Sequence, residues 1–328
     1  VAAVLLAAYP LAASAQGQQR QAQPLPDLGG GFGIAHDINE SNVIAGEASN
    51  TANRTHAVMW TNAAIRDLGT LGGLDSSALG ISNRGQVVGF SANATNDRTL
   101  AFIWDQGVMT ALPPEFSFIT VSEAFDVNDN GVAVGTSGGD AVVWQNGQIV
   151  RVLPGIGATP TRALRITGGG VIVGTGTNGF VTVGLVWFPD GSRINLGPLP
   201  GGNGQTFGED INDSGFAAGS SSVASGIHAA LWNNGVPRDL GTLIASPSAS
   251  SQGHGLSASG LVVGEGTALD AGGNPTEHGL LWDYNRQIVD LRPLAGNSFS
   301  AAFAVNSGGV AVGESSSPSA PRAVFWRL

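Results

Sequence analysis

Residues 76–92 read SSALGISNRGQVVGFSA. Two short runs of alternating apolar residues flank Ser82-Asn83-Arg84-Gly85, a turn that starts on a side chain able to bond its own backbone and closes on glycine. The closing residue of such a hairpin sits in the left-handed region, which only glycine and asparagine enter cheaply. Working outward, the turn recurs along the chain. Its first residue is Asn39, Ser82, Asn128, Thr167, Asn212, Ser257 or Asn306, and its fourth is Asn42 once and glycine otherwise. Soon after the turn each copy has a pair of apolar residues and a glycine: Gly46, Gly89, Gly135, Gly174, Gly219, Gly264 and Gly313. A tryptophan follows, at 60, 104, 144, 187, 232, 282 and 326, with a small residue three positions before it. A second turn then leads to a strand ending at Leu68, Leu112, Leu153, Leu196, Leu240 or Leu291. Four short antiparallel strands per unit, repeated at this period, predict an all-β fold: a seven-bladed β-propeller of four-stranded blades.

The chain ends say how the ring closes. The seventh unit stops at AVFWRL without a fourth strand, and residues 23–28, QPLPDL, supply a spare copy ending at Leu28. An N-terminal strand that completes the last blade leaves no unpaired edge at the seam. An open solenoid would need polar caps at both ends, and the sequence shows none. The expected organisation is a signal peptide over 1–15, a polar linker over 16–22 and one propeller domain over 23–328. Residues 1–15, VAAVLLAAYPLAASA, have the apolar core and small-residue end of an export signal. Pro10 interrupts this run, which is also short of the roughly 20 apolar residues that span a bilayer. A secreted protein, extracellular or periplasmic and without a membrane span, is therefore expected.

Composition narrows the function classes. Fourteen basic residues, all arginine, against 24 acidic ones give a net charge of −10, which excludes electrostatic nucleic-acid binding. The absence of cysteine removes disulfides, thiolate metal sites and cysteine nucleophiles. Each tryptophan can bury ~150–250 Å², so the seven are expected to hold the ring together rather than bind ligand.

The segment DLGTLGGLDSSALGISNRGQVVGFS (67–91), the His-Ala/Gly-x-x-Trp segments at 56–60, 228–232 and 278–282, and the second DLGTL at 239–243 resemble the extracellular HAF-repeat family. The histidine is replaced by Leu100, Asp140, Val183 and Arg322 in the other units, so it is no obligatory ligand. The resemblance implies secreted bacterial repeat proteins that share no single activity.

Both hairpin turns of each unit are tight and lie on one face. The opposite face receives the blade-to-blade connections and the second-to-third loops, whose glycine-to-tryptophan interval runs from 9 to 18 residues. Variable loops on a rigid scaffold are where binding resides. The residue after the strand glycine is Glu47, Glu265 and Glu314 in units one, six and seven, which are neighbours in a closed ring. Grouped carboxylates are the acid and base of glycoside hydrolysis, so these three are candidate catalytic residues. His56, His228 and His278 share one repeat position a blade apart, which suits structural histidines better than zinc ligands. His36 and His254 take inner-strand positions filled in most other units by leucine or phenylalanine, so packing is expected of them. Asp126, Asn128 and Asn130 resemble the opening of a calcium loop, although Ser137 stands where the loop's glutamate belongs. No other cofactor is expected. Gly174–Gly179 and Gly135–Gly139 match nucleotide-binding and nucleophile-elbow patterns, but strands follow both and no helix does. The expected function is a monomeric binding module for an extracellular polysaccharide or protein ligand; the alternative is a secreted glycoside hydrolase.

Overall fold

The structure, a computed structural model, describes residues 19–62, 64–157, 160–270, 272–283, 287–317 and 320–328. All seven turns form as the sequence predicts. Gly85 N–H donates to Ser82 C=O at 3.0 Å with φ of 81° at Gly85, and Asn42, at φ 60°, does the same to Asn39. Each turn joins the inner strand of a blade to its second strand. Blade one comprises Gly29–Ile38, Ile44–Asn50, Thr55–Thr61 and Ala64–Gly69. Later blades begin with inner strands Gly72–Ile81, Ser122–Val127, Thr161–Ile166, Thr206–Ile211, Ser251–Leu256 and Phe299–Val305. The chain is a seven-bladed β-propeller of antiparallel sheets. Among the described residues no helix is long and apolar enough to cross a membrane, and the expected signal peptide lies outside them.

The repeated glycine and tryptophan now have physical reasons. Every inner strand carries a one-residue bulge, at His36, Leu79, Phe125, Leu164, Glu209, His254 and Phe303. The kink pushes a carbonyl against the second strand, and a methyl group at Gly89 would lie 1.9 Å from Ser77 O. The strand glycines are therefore required by close approach, not by unusual φ. All seven tryptophans are buried between neighbouring blades. Indole N–H groups reach the carbonyl just beyond the last leucine of the preceding blade: Trp144 to Pro113, Trp187 to Pro154, Trp232 to Gly197 and Trp326 to Arg292, at 2.7–2.9 Å. The small residue three positions before each tryptophan lets the next blade come near. Ala57, Ala101, Gly184, Ala229 and Gly279 each donate their N–H to a serine or threonine of the following inner strand.

The N-terminus closes the ring, with two differences from expectation. Gln23–Pro24 pairs antiparallel with the last strand, Arg322–Arg327, and completes blade seven. The closing leucine is Leu25, not Leu28: Leu25 N–H bonds Ala323 O as Leu112 bonds Ala101, and the next carbonyl, of Pro26, accepts the Trp60 indole. Leu28 matches Leu71, three residues further on, each forming an isolated bridge to the end of a second strand. Because leucines recur three apart, the sequence admits both registers. The second difference is the linker: Gln19–Gln21 forms a fifth strand, parallel to Ile288–Arg292 of blade six. The propeller therefore includes residues 19–22, with Ala22 buried in its core.

Candidate functional site

Bulges decide what faces the centre, because the extra residue re-aims the side chains around it. At the bulge position of blades six, seven and one, His254, Phe303 and His36 meet, with ring centroids 5.7 Å and 6.1 Å apart across the two interfaces. The three expected glutamates lie on the second strands beside them. Glu47 Oε1 is 3.8 Å from His36 Nε2, and Glu265 Oε1 is 3.7 Å from His254 Nε2. Glu314 feels the charges of both Glu265 and Glu47. The structure thus brings Glu47, Glu265 and Glu314 into one electrostatic cluster around Phe303. His36 and His254 do more than pack, contrary to expectation: each pairs with the glutamate across its own hairpin. A signal for this lay in the sequence, since the two units with histidine at the bulge also have glutamate after the strand glycine.

The cluster separates its carboxylates electrostatically. Burial opposes ionisation of Glu47, but the His36 imidazole and the Ser77 hydroxyl beside it hold its carboxyl below the usual range. Ser77 Oγ is buried and has no hydrogen-bond partner within bonding distance among the described residues. Burial pushes Glu314 up, Glu265 adds to the rise, and His36 only partly offsets it. Glu277, also near Glu265, is raised by burial and by that charge. The same cluster thus pushes Glu314 and Glu277 up and Glu47 down.

The tight-turn end of the channel is a lock. One residue beyond the bulge stand Asp37, Gly80, Asp126, Arg165, Asp210, Gly255 and Ala304. Each aspartate accepts two backbone N–H bonds, one from its own blade and one from the next. Asp37 takes Ile38 and Ile81, Asp126 takes Val127 and Ile166, and Asp210 takes Ile211 and Leu256. At Gly80 and Gly255 a side chain would strike the following blade 2.6 Å away. These enclosed carboxyls are raised by desolvation, which Arg165 in part offsets: Asp126 to about 6 and Asp210 to about 7. A cavity of about 220 Å³ lies there, lined by this layer and the hairpin turns. The glutamate cluster sits on the variable-loop side of the lock.

The remaining candidates are structural in geometry. Asn128 Oδ1 accepts N–H bonds from Asn130 and Val132, while its amide and that of Asn130 reach Thr167 O and Gly168 O of the next blade. The oxygens of Asp126 and Asn128 are thus engaged by backbone donors, and no metal-competent group of three or more histidines or carboxylates occurs among the described residues. His56, His228 and His278 each place Nδ1 2.8–2.9 Å from a fourth-strand carboxylate, Asp67, Asp239 and Asp290. On the variable-loop face, Phe116 and Phe118 stack in parallel at 5.4 Å with both rings exposed. Their loop is pinned by Glu115 N–H on Ser137 Oγ and by Arg98 on Ser117 O.

No family model matches the chain, and no curated protein matches it. Solved structures share its fold. An acylaminoacyl peptidase is 12% identical with a TM-score of 0.51, over 90% of this chain and 51% of that one, so the chain spans about half of it. A gluconolactonase from Xanthomonas campestris is 13% identical with a TM-score of 0.44, over 91% of this chain and 98% of that one. A Trypanosoma rangeli sialidase is 13% identical with a TM-score of 0.38, over 90% of this chain and 53% of that one. At these identities the likeness concerns the propeller alone.

Proposed function

We propose that the chain is a binding propeller that takes a glycan into the variable-loop side of its central channel. The observation that carries this is the Phe303 ring flanked by two histidine–glutamate pairs and Glu314. An apolar ring edged by carboxylates suits a sugar, which offers one apolar C–H face and a rim of hydroxyl donors. On the variable-loop face Phe116 and Phe118 add an exposed aromatic ridge. Export, and a place among HAF-repeat proteins, belong to the same reading and rest on residues 1–15 and the repeat motifs. The purified protein should be retained on a polysaccharide array and lose that retention when Glu47, Glu265 and Glu314 are replaced by glutamine. Retention unchanged by the triple substitution would remove the channel from the reading.

One observation favours hydrolysis as a second reading: Glu314 is held up and Glu47 down, the division of labour between a general acid and its ionised partner. Chromogenic glycosides test it. Glu314→Gln should lower kcat by at least about 100-fold, the contribution typical of a general acid. Turnover that survives this change would show that the acid lies elsewhere.

A further inference from the structure

Blade six differs from the others in two features that meet at one place. The strand Gln19–Gln21 runs along its outer edge, facing Asp290, Leu291 and Arg292. Its second-to-third connection lies within the longest glycine-to-tryptophan interval, Gly264 to Trp282. There a cleft of about 430 Å³ is lined by Gln21, Leu269, His278, Arg292, Leu294 and Asn297, among others. That volume is in the range of small-molecule sites, roughly 300–1,000 Å³.

The histidine–aspartate pair under this cleft is unlike its counterparts. Side-chain exposure is 20% and 41% for His56 and Asp67, and 19% and 44% for His228 and Asp239, but 5% and 8% for His278 and Asp290. Asp290 Oδ1 engages His278 Nδ1 at 2.8 Å, which fixes the proton there and leaves Nε2 as the free ring nitrogen of a side chain lining the cleft. Asp290 Oδ2 accepts Arg292 Nε at 3.4 Å, and the two terminal guanidinium nitrogens have no partner among the described residues. The nearby Asp270 carboxylate is occupied by its own turn, accepting bonds from Gly272 and Asn274. Leu269, Pro293 and Leu294 give the cleft an apolar wall.

We propose that this cleft binds a small hydroxy acid of hexuronate size. The carboxylate would meet the terminal nitrogens of Arg292 in a charge-assisted fork, a hydroxyl would donate to His278 Nε2, and the C–H face would lie on Leu269, Pro293 and Leu294. A simple inorganic anion uses neither the wall nor the imidazole. The site stands on blade six and does not depend on the channel. Calorimetry of the full chain with glucuronate and galacturonate tests it, with glucose and hexanoate as controls. Either uronate should bind saturably, and Arg292→Gln should weaken binding at least about tenfold, the loss expected for a charge-assisted pair. Leu269→Trp, at the partly exposed rim, should block the cleft without touching the ion pair. The glutamine triple variant of the channel should bind the uronate unchanged. No saturable heat with either uronate, equal binding of glucose or hexanoate, or uronate binding unaffected by both Arg292→Gln and Leu269→Trp would overturn the proposal.

Discussion

Single residues carry much of this architecture, and glycine does so by what it omits. A methyl group at Gly89 would overlap Ser77 O at 1.9 Å, and both strands are held by the blades beside them. Gly89→Ala should therefore cost about 3 kcal/mol or more in urea unfolding, at the severe end for point changes. A loss under about 1 kcal/mol would mean that the bulge relaxes. The buried aspartates set a pH dependence. Burial raises Asp126 to about 6 and Asp210 to about 7, so the native state holds these protons more tightly than the unfolded chain, whose carboxyls titrate near 3.9. Stability should then rise as pH falls from about 7 toward 4, contrary to the usual effect of paired carboxylates. Glu47, held low, acts in the opposite sense and loses its contribution as pH falls through the ordinary glutamate range and below it. The melting temperature should climb between pH 8 and pH 5, and Asp210→Asn should flatten that climb; a flat wild-type profile would contradict the burial.

At the scale of the strand, repeat residues were legible wherever they obey a backbone rule: the turn closers, the strand glycines and the tryptophan anchors. Glu47, Glu265 and Glu314 could be placed in one sector because the ring order follows from the repeat. The histidine partners were hinted at only by their occurrence in the same units as glutamate, because a bulge adds a residue without a composition of its own and switches which face the later side chains take. His36 therefore read as a packing residue. The closing register was ambiguous for a simpler reason, two leucines three apart. Gln19–Gln21 is polar and carries no strand signal, and its place is given by backbone pairing to blade six. Two truncations separate these roles. Removal through Ala22 takes away the fifth strand of blade six, and should lower the melting temperature by a few degrees. Removal through Leu28 also takes the partner of the last strand and the acceptor for Trp60, and should lower it much further. Equal melting of both truncated forms would mean that residues 23–28 do not close the ring.

For the whole molecule, the lock layer has a counting problem. Clamping aspartates stand in blades one, three and five, and the residues between them are glycine, arginine and glycine. Such an alternation fits an even ring, but seven is odd, so it must fail at one interface, as frustration does in an odd cycle of alternating spins. The fault falls at blade seven, where Ala304 supplies no clamp toward blade one; Asn306 reaches Asn39 O there as the turn asparagines Asn39, Asn128 and Asn212 reach their next blades, and it adds a bond to Asn42 Oδ1. Blade seven is also the sheet whose outermost strand, Gln23–Pro24, comes from the N-terminal segment. The parity defect at the hub and the strand junction at the rim thus fall in the same blade. Three aspartate clamps join the blades in pairs and leave one blade over, and that odd blade is the one whose four strands are stitched together from residues far apart in the chain.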